Sequence, residues 1–281
     1  MATTVAADLA AGQIAMVAKA RYTMEHIGVC KDLFTKMMLE PGNKSQYILK
    51  FGTAPALDLT DGVDMTGSST LAITGSTHTT DEAGLKVIIT KKLRNQLKED
   101  AYKAAGVVIG NAIGKKIDQD GLALFSGLDS GLGAASTVLT LGFHAAGVAQ
   151  CMGQSEPVPE PLVAVYHPYQ INAFVDLLSA TATAPPQYPK DVLSNYWRGR
   201  DKLYNTPIYG DGNITAGSAC YGAIFSPMAF IYLVGWEPEN WVEEDKSLRG
   251  WEIGVVADYA MVEEDGTYGR YMLFDATAPT S

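Results

Sequence analysis

At 281 residues the chain is long enough for one large domain or two small ones, with a substantial core of its own. Acidic residues outnumber basic ones 31 to 21, a formal charge of −10, which excludes a protein whose main task is to grip nucleic-acid phosphates. Three distant cysteines (Cys30, Cys151 and Cys220) form no CxxC pair, so neither a disulfide framework nor a zinc site is indicated.

The opening MATTVAADLAAGQIAMVAKARY has neither the basic start nor the sustained apolar run of a signal peptide. No stretch approaches the ~20 uninterrupted apolar residues of a membrane span, so the expectation is a soluble protein with no membrane partner. Over 5–39, Leu9, Ile14, Val17, Met24, Ile27, Leu33 and Met37 recur at broadly helical spacing. That predicts one or two short amphipathic helices, ended by Pro41-Gly42. Met16, Met24, Met37 and Met38 fall in this arm, and a methionine stripe suits either a neighbouring subunit or the chain's own core.

Character changes over 44–90. SQYILKF predicts a strand, and LKVIITK another. Between them lies a Thr-, Ser-, Gly- and Asp-rich stretch, with Leu57, Leu59, Val63, Met65, Leu71 and Ile73 as isolated apolar positions. The spacing reads as extended two-stranded structure with little core of its own, which must lean on its own domain or on another chain.

Residues 91–126, KKLRNQLKEDAYKAAGVVIGNAIGKKIDQDGLALF and onward, carry the strongest helical signal. Leu93, Leu97, Ala101, Ala104, Val108, Ala112 and Ile113 repeat at three and four residues. Gly106, Gly110 and Gly114 each cost a helix about 1 kcal/mol relative to Ala, so a close backbone approach is expected there. Asp118 and Asp120 read as a solvated helix end. TVLTLGFHAAGVAQCMG suggests a strand and a short helix, and PLVAVYHPYQ a buried strand stopped by His167-Pro168, with Pro168 suited to a helix's first turn. PPQYPKDVLSNYWRGR looks irregular, and LYNTPIYGDGNI resembles a strand entering a turn. The last part alternates strands and turns, with WEIGVVADYAMV and TYGRYMLFD predicted to pair antiparallel about Asp265-Gly266.

None of the four histidines (His26, His78, His144, His167) sits in a zinc motif, and no phosphate loop, dinucleotide fingerprint or nucleophile elbow occurs. The acidic runs Glu243-Glu244-Asp245 and Glu263-Glu264-Asp265 suit calcium less well than solvated turns. No enzyme, metal or cofactor is expected.

An N-terminal arm, a long polar hairpin, a long helix, an α/β region and a closing antiparallel ribbon follow one another. That order resembles the tailed-phage major capsid proteins of the Hong Kong 97 type, whose fold encapsulin shells share. KKLRNQLKEDAYKAAGVVIGNAIGKKIDQD is similar to the family's spine helix, and AVYHPYQINAFVDLL to the strand–Pro–helix opening its axial domain. LYNTPIYGDGNI is similar to its next strand and turn, and YGAIFSPMAFIYLVGW to the return toward its peripheral domain. The resemblance implies an α+β, Hong Kong 97-like phage capsid fold. It divides into an arm (1–42), an extended loop reaching over a neighbour (43–90), a peripheral domain (91–155 and 240–281, spine helix 91–126) and an axial domain (156–239).

It further implies a virion protein, assembled in the host bacterial cytoplasm into hexamers and pentamers around double-stranded DNA without sequence-specific binding. The arm starts almost at Met1, which implies a separate scaffolding protein or none, beside a portal and a decoration protein. Family members that crosslink use a Lys–Asn bond; Lys44 and Lys50 lie near the proposed loop, without a residue match for that chemistry. Residues implied to touch neighbouring subunits are Met16, Met24, Met37, Leu57, Leu59, Val63, Met65, Leu71 and Ile73. The alternatives are an encapsulin-like compartment, told apart by its gene neighbours, a soluble α/β enzyme with an unrecognised site, and a tail or decoration protein.

Overall fold

The computed structural model describes residues 28–279 except 53, 55, 57, 63, 65, 66, 69, 97–100 and 174–201. For 94, 96, 101–104 and 202 it describes the backbone alone. The fold is α+β and rests on two sheets that share a seam of buried aromatic rings.

The first sheet runs in the order β1 (Thr35–Met38), β10 (Phe230–Asp245), β11 (Gly250–Glu263), β4 (Asp81–Thr90). Its spine is the β10–β11 hairpin, closed where the Asp245 carboxylate accepts hydrogen bonds from Ser247 N (2.8 Å) and Leu248 N (3.1 Å). Pro238, which has no N–H to donate, falls in the register shift between Trp236 and Glu239. The second sheet runs β5 (Gly131–Gly133), β12 (Gly269–Phe274), β9 (Cys220–Phe225), β6 (Val163–Tyr166), β8 (Thr206–Gly210), β7 (Lys202–Leu203). Tyr204 and Asn205, both at positive φ, join β7 to β8 as a two-residue turn matched to strand twist. A separate ribbon pairs β2 (Ser45–Phe51) with β3 (Ile73–Thr79).

Helices α1 (Cys30–Leu33), α2 (Lys91–Gln96), α3 (Ala101–Ala123) and α4 (Leu141–Met152) support the sheets. Ile109, Ile113, Ile117 and Leu122 of α3 face inward at four- and five-residue spacing, packed among β4 and β11. Thr140 caps α4 by accepting from Phe143 N (3.3 Å), and Gly147 lets that helix press on Ile224 of β9. Helical residues 168–173 begin with a reciprocal cap: His167 Nδ1 accepts from Tyr169 N (3.1 Å) and Gln170 Oε1 accepts from His167 N (3.1 Å).

The seam holds Phe34, Phe125, Phe225 and Phe230. Phe34 stacks on Phe230 at 4.8 Å, and Phe225 meets Phe230 edge-on at 5.1 Å. Phe225 ends β9 and Phe230 starts β10, so the short turn at Pro227–Ala229, capped by Ser226, carries the chain from one sheet to the other.

Several expectations need correction. Thr35–Met38 is a parallel strand on β10, not the end of an amphipathic helix; an edge beside a long strand offers its backbone more hydrogen bonds than a free helical turn would. Of the apolar stripe read over 93–113, Leu93 and Ile113 are buried but Val108 is half exposed, with Ile109 buried in its place; Leu97 and the side chains of Ala101 and Ala104 lie outside the described residues. Among the described residues, nothing outside the helix backbone lies within 4 Å of a Cβ placed at Gly106, Gly110 or Gly114. Asp118 is buried, not solvated. Finally, β11 does not pair with β12 about Asp265-Gly266. The chain changes sheet there, and Asp265 instead caps a helical turn by accepting from Thr267 N (3.0 Å).

Candidate functional site

The β2–β3 ribbon is amphipathic in an unusual sense. Strand alternation puts Gln46, Ile48 and Lys50 on one face and Tyr47, Leu49 and Phe51 on the other; the first set is half-buried and the second exposed. The register places Phe51 opposite Ile73 and Leu49 opposite Gly75, so both strands contribute to each face. Tyr47 lies across Gly75, whose lack of a Cβ leaves room for the phenol.

The ribbon's polar face meets the body at Glu264 and Asp265. Lys50 pairs with the Asp265 carboxylate and sits 5.1 Å from the Tyr268 ring centroid. That carboxylate holds the Lys50 ammonium above its usual range. His78 Nε2 lies 3.3 Å from Glu264 Oε2 and 2.8 Å from Ser76 Oγ, which itself donates to Glu264 at 3.5 Å. The apolar face points the other way: Tyr47, Leu49, Phe51 and Ile73 are each more than half exposed. An isolated subunit would bury that face and wet the other. The arrangement is the reverse, and it leaves a contiguous apolar surface for another chain.

Of the residues expected to touch neighbours, Leu59, Leu71 and Ile73 are exposed, and Met37 is half-buried on the edge strand β1 with Met38 exposed beside it. Met16, Met24, Leu57, Val63 and Met65 lie outside the described residues. The expectation omitted Tyr47, Leu49 and Phe51. Their alternation within SQYILKF was the available signal, but a single amphipathic strand does not reveal which of its faces lies inward. Trp236 and Val242 on the outer half of β10 add a second exposed apolar surface.

Reactive groups are scarce. Burial pushes the Cys151 thiol up to about 11, Cys220 to about 12 and Cys30 well above its usual range, so none is a ready nucleophile. His144, fully buried on α4, bonds through Nδ1 to the Tyr166 hydroxyl (2.9 Å) and is pushed down to about 4 by burial. Among the described residues no group of three or more His, Cys, Asp or Glu converges on a metal-sized site, and no helix is long and apolar enough to cross a membrane. Each acidic run has a structural task. Asp245 closes the β10–β11 turn, while Glu264 and Asp265 receive the ribbon.

No protein-family model matches the chain, and no curated protein matches its sequence. Solved structures do match its fold. A capsid chain of a native GTA particle superposes with a TM-score of 0.70 at 10% identity, covering 98% of this chain and 100% of that one. The mature capsid of bacteriophage PhiM1 gives 0.69 at 9% identity, covering 93% and 91%. The capsid of cyanophage P-SCSP1u gives 0.67 at 13% identity, covering 93% and 92%. Superposition over nearly the full length of both chains shows that the fold of this protein is that of these phage-type capsid chains.

Proposed function

We propose that the chain is the major capsid protein of a tailed phage, assembling as hexamers and pentamers into an icosahedral head shell around double-stranded DNA. The observation that carries this reading is the ribbon whose polar face docks on its own subunit while its apolar face is left open. Such a face is costly for a monomer and useful to a shell, where symmetry repeats one modest contact many times. The acidic balance fits as well, since a wall carrying −10 per subunit encloses DNA without adhering to it. The role is structural rather than catalytic, and its place is the virion.

In that shell, residues 1–42 form the arm and 43–90 the loop over a neighbour. Residues 91–155 and 240–281 form the peripheral domain, with 91–126 as its spine, and 156–239 the axial domain. Met16, Met24, Met37, Leu57, Leu59, Val63, Met65, Leu71 and Ile73 line subunit contacts together with Tyr47, Leu49 and Phe51. The partners are further copies of the chain, a separate scaffolding protein, a portal and a decoration protein, with assembly in the host cytoplasm.

The test is negative-stain electron microscopy of the purified chain after size-exclusion chromatography, with and without candidate scaffolding protein. Closed shells, or rings of five and six subunits, are expected. A monomer that assembles under neither condition overturns the reading. An encapsulin-like compartment would also form shells, but its gene would neighbour a cargo enzyme instead of terminase and portal genes.

A further inference from the structure

Two buried carboxyl groups lie where the chain enters its core. Asp118 is 2% exposed on α3, and Asp211 is fully buried in the turn after β8. Around them the first described residues are pinned. Cys30 N donates to Asp118 Oδ1 (3.1 Å) and Val29 N to Asp211 Oδ2 (3.3 Å). Gly28 runs so close that a Cβ there would lie 2.4 Å from Asp118 Cγ. Asn213 completes the group, its Nδ2 donating to Asp118 Oδ2 and its backbone N to Asp211 Oδ1, both at 2.8 Å. Asn213 thereby ties the two carboxyls into one buried cluster.

We propose that the Asp118–Asp211 pair is a proton-operated clasp: a proton held on the buried pair keeps Gly28–Cys30 against α3 and the 211–213 turn, and losing it loosens that hold. Residues 1–27 are joined covalently to the body through this point, so the clasp governs how firmly they are rooted. The inference stands whether or not the chain builds shells.

The charges around the pair favour such behaviour. From α1 the facing titratable group is the Cys30 thiol, which burial keeps neutral. From α3 it is Asp118 and from the turn Asp211. Lys31 and Asp32 of α1 and Lys115 and Lys116 of α3 are exposed, and Lys116 is paired with Asp120. No salt bridge reaches either buried carboxyl among the described residues. Two adjacent carboxylates without a cation repel strongly in a poorly solvated site, so the doubly ionised form is disfavoured. Burial, reinforced by Asp118, pushes Asp211 up to about 7 against the opposing pull of the Asn213 and Val29 N–H groups. Because the folded value is raised, the clasp is strongest below the ordinary carboxylate range and weakens as pH rises through about 7.

The test is hydrogen–deuterium exchange of the full chain at about pH 5.5, 7 and 8.5, each corrected for intrinsic exchange. A peptide spanning Val29–Leu33 is followed, with one from β9 as internal reference. Protection at Val29–Leu33 is expected to fall by at least about tenfold across the range, with a midpoint near 7, while β9 stays constant. Asp211→Asn, which cannot ionise, should abolish the dependence. Flat protection in the wild type, or an unchanged slope in Asp211→Asn, overturns the proposal. If that variant does not fold, the 13C titration of the wild-type Asp211 carboxyl decides: a midpoint near 7 supports the clasp, and one near the ordinary aspartate value overturns it.

Discussion

Replacing Phe51 by serine separates the two tasks a ribbon residue can have. Phe51 is 60% exposed in the subunit. A phenylalanine offers roughly 200 Å², so about 120 Å² of it is open to solvent. At about 25 cal/mol per Å², covering that area on a neighbour would contribute ~3 kcal/mol, and ordering costs leave ~2 kcal/mol. The other ~80 Å² is covered within the subunit, so Phe51→Ser should cost the subunit's own stability at most ~2 kcal/mol, less than the ~3–5 kcal/mol of a core phenylalanine. It should weaken the inter-subunit contact roughly 30-fold, raising the protein concentration at which shells form. Thermal denaturation of unassembled subunits reads the first quantity, and light scattering against protein concentration reads the second. If Phe51→Ser assembles at the wild-type concentration, or if its melting temperature falls as for a core substitution, the ribbon's open face is not a subunit contact.

Three further outcomes follow from the packing. Phe34→Ala removes the ring stacked on Phe230 in the seam and should cost about 3–5 kcal/mol in chemical denaturation, although Phe34 lies far from Phe230 in sequence. Gly222→Val would place a Cβ 2.6 Å from Tyr166 Cδ1 and 2.8 Å from Val165 O, so a loss of about 1–3 kcal/mol or more is expected, read as a lowered melting temperature. His144 titrates near 4 in the fold against an ordinary 6.5, so the unfolded chain binds the extra proton between those values. Stability should fall as pH drops from about 6.5 to about 4, by at most ~3 kcal/mol, and His144→Gln should flatten that part of the melting-temperature profile.

Local chemistry was legible residue by residue. The alternation of SQYILKF, the strand through PIYG, the strand LVAVY with His167-Pro168 behind it, and a helix over most of 91–126 all follow from short-range periodicity and turn residues, and each is present. The charge balance and the lack of a catalytic motif were likewise plain from composition. Pairing partners were not legible. β11 and β12 read as a hairpin because Asp265-Gly266 looks like a turn, yet Asp265 caps a helical turn and the two strands join different sheets. Asp118 read as solvated at a predicted helix end, yet α3 turns it inward toward Val29–Cys30 and the 211–213 turn. Nor could alternation say which side of the ribbon faces the body; that was decided by where Glu264 and Asp265 lie in space. Periodicity is a property of neighbours along the chain, and it determines the elements and their two faces. The partner that covers a face can lie as far as 215 residues away, as Asp265 does from Lys50, and only the folded chain brings the two together.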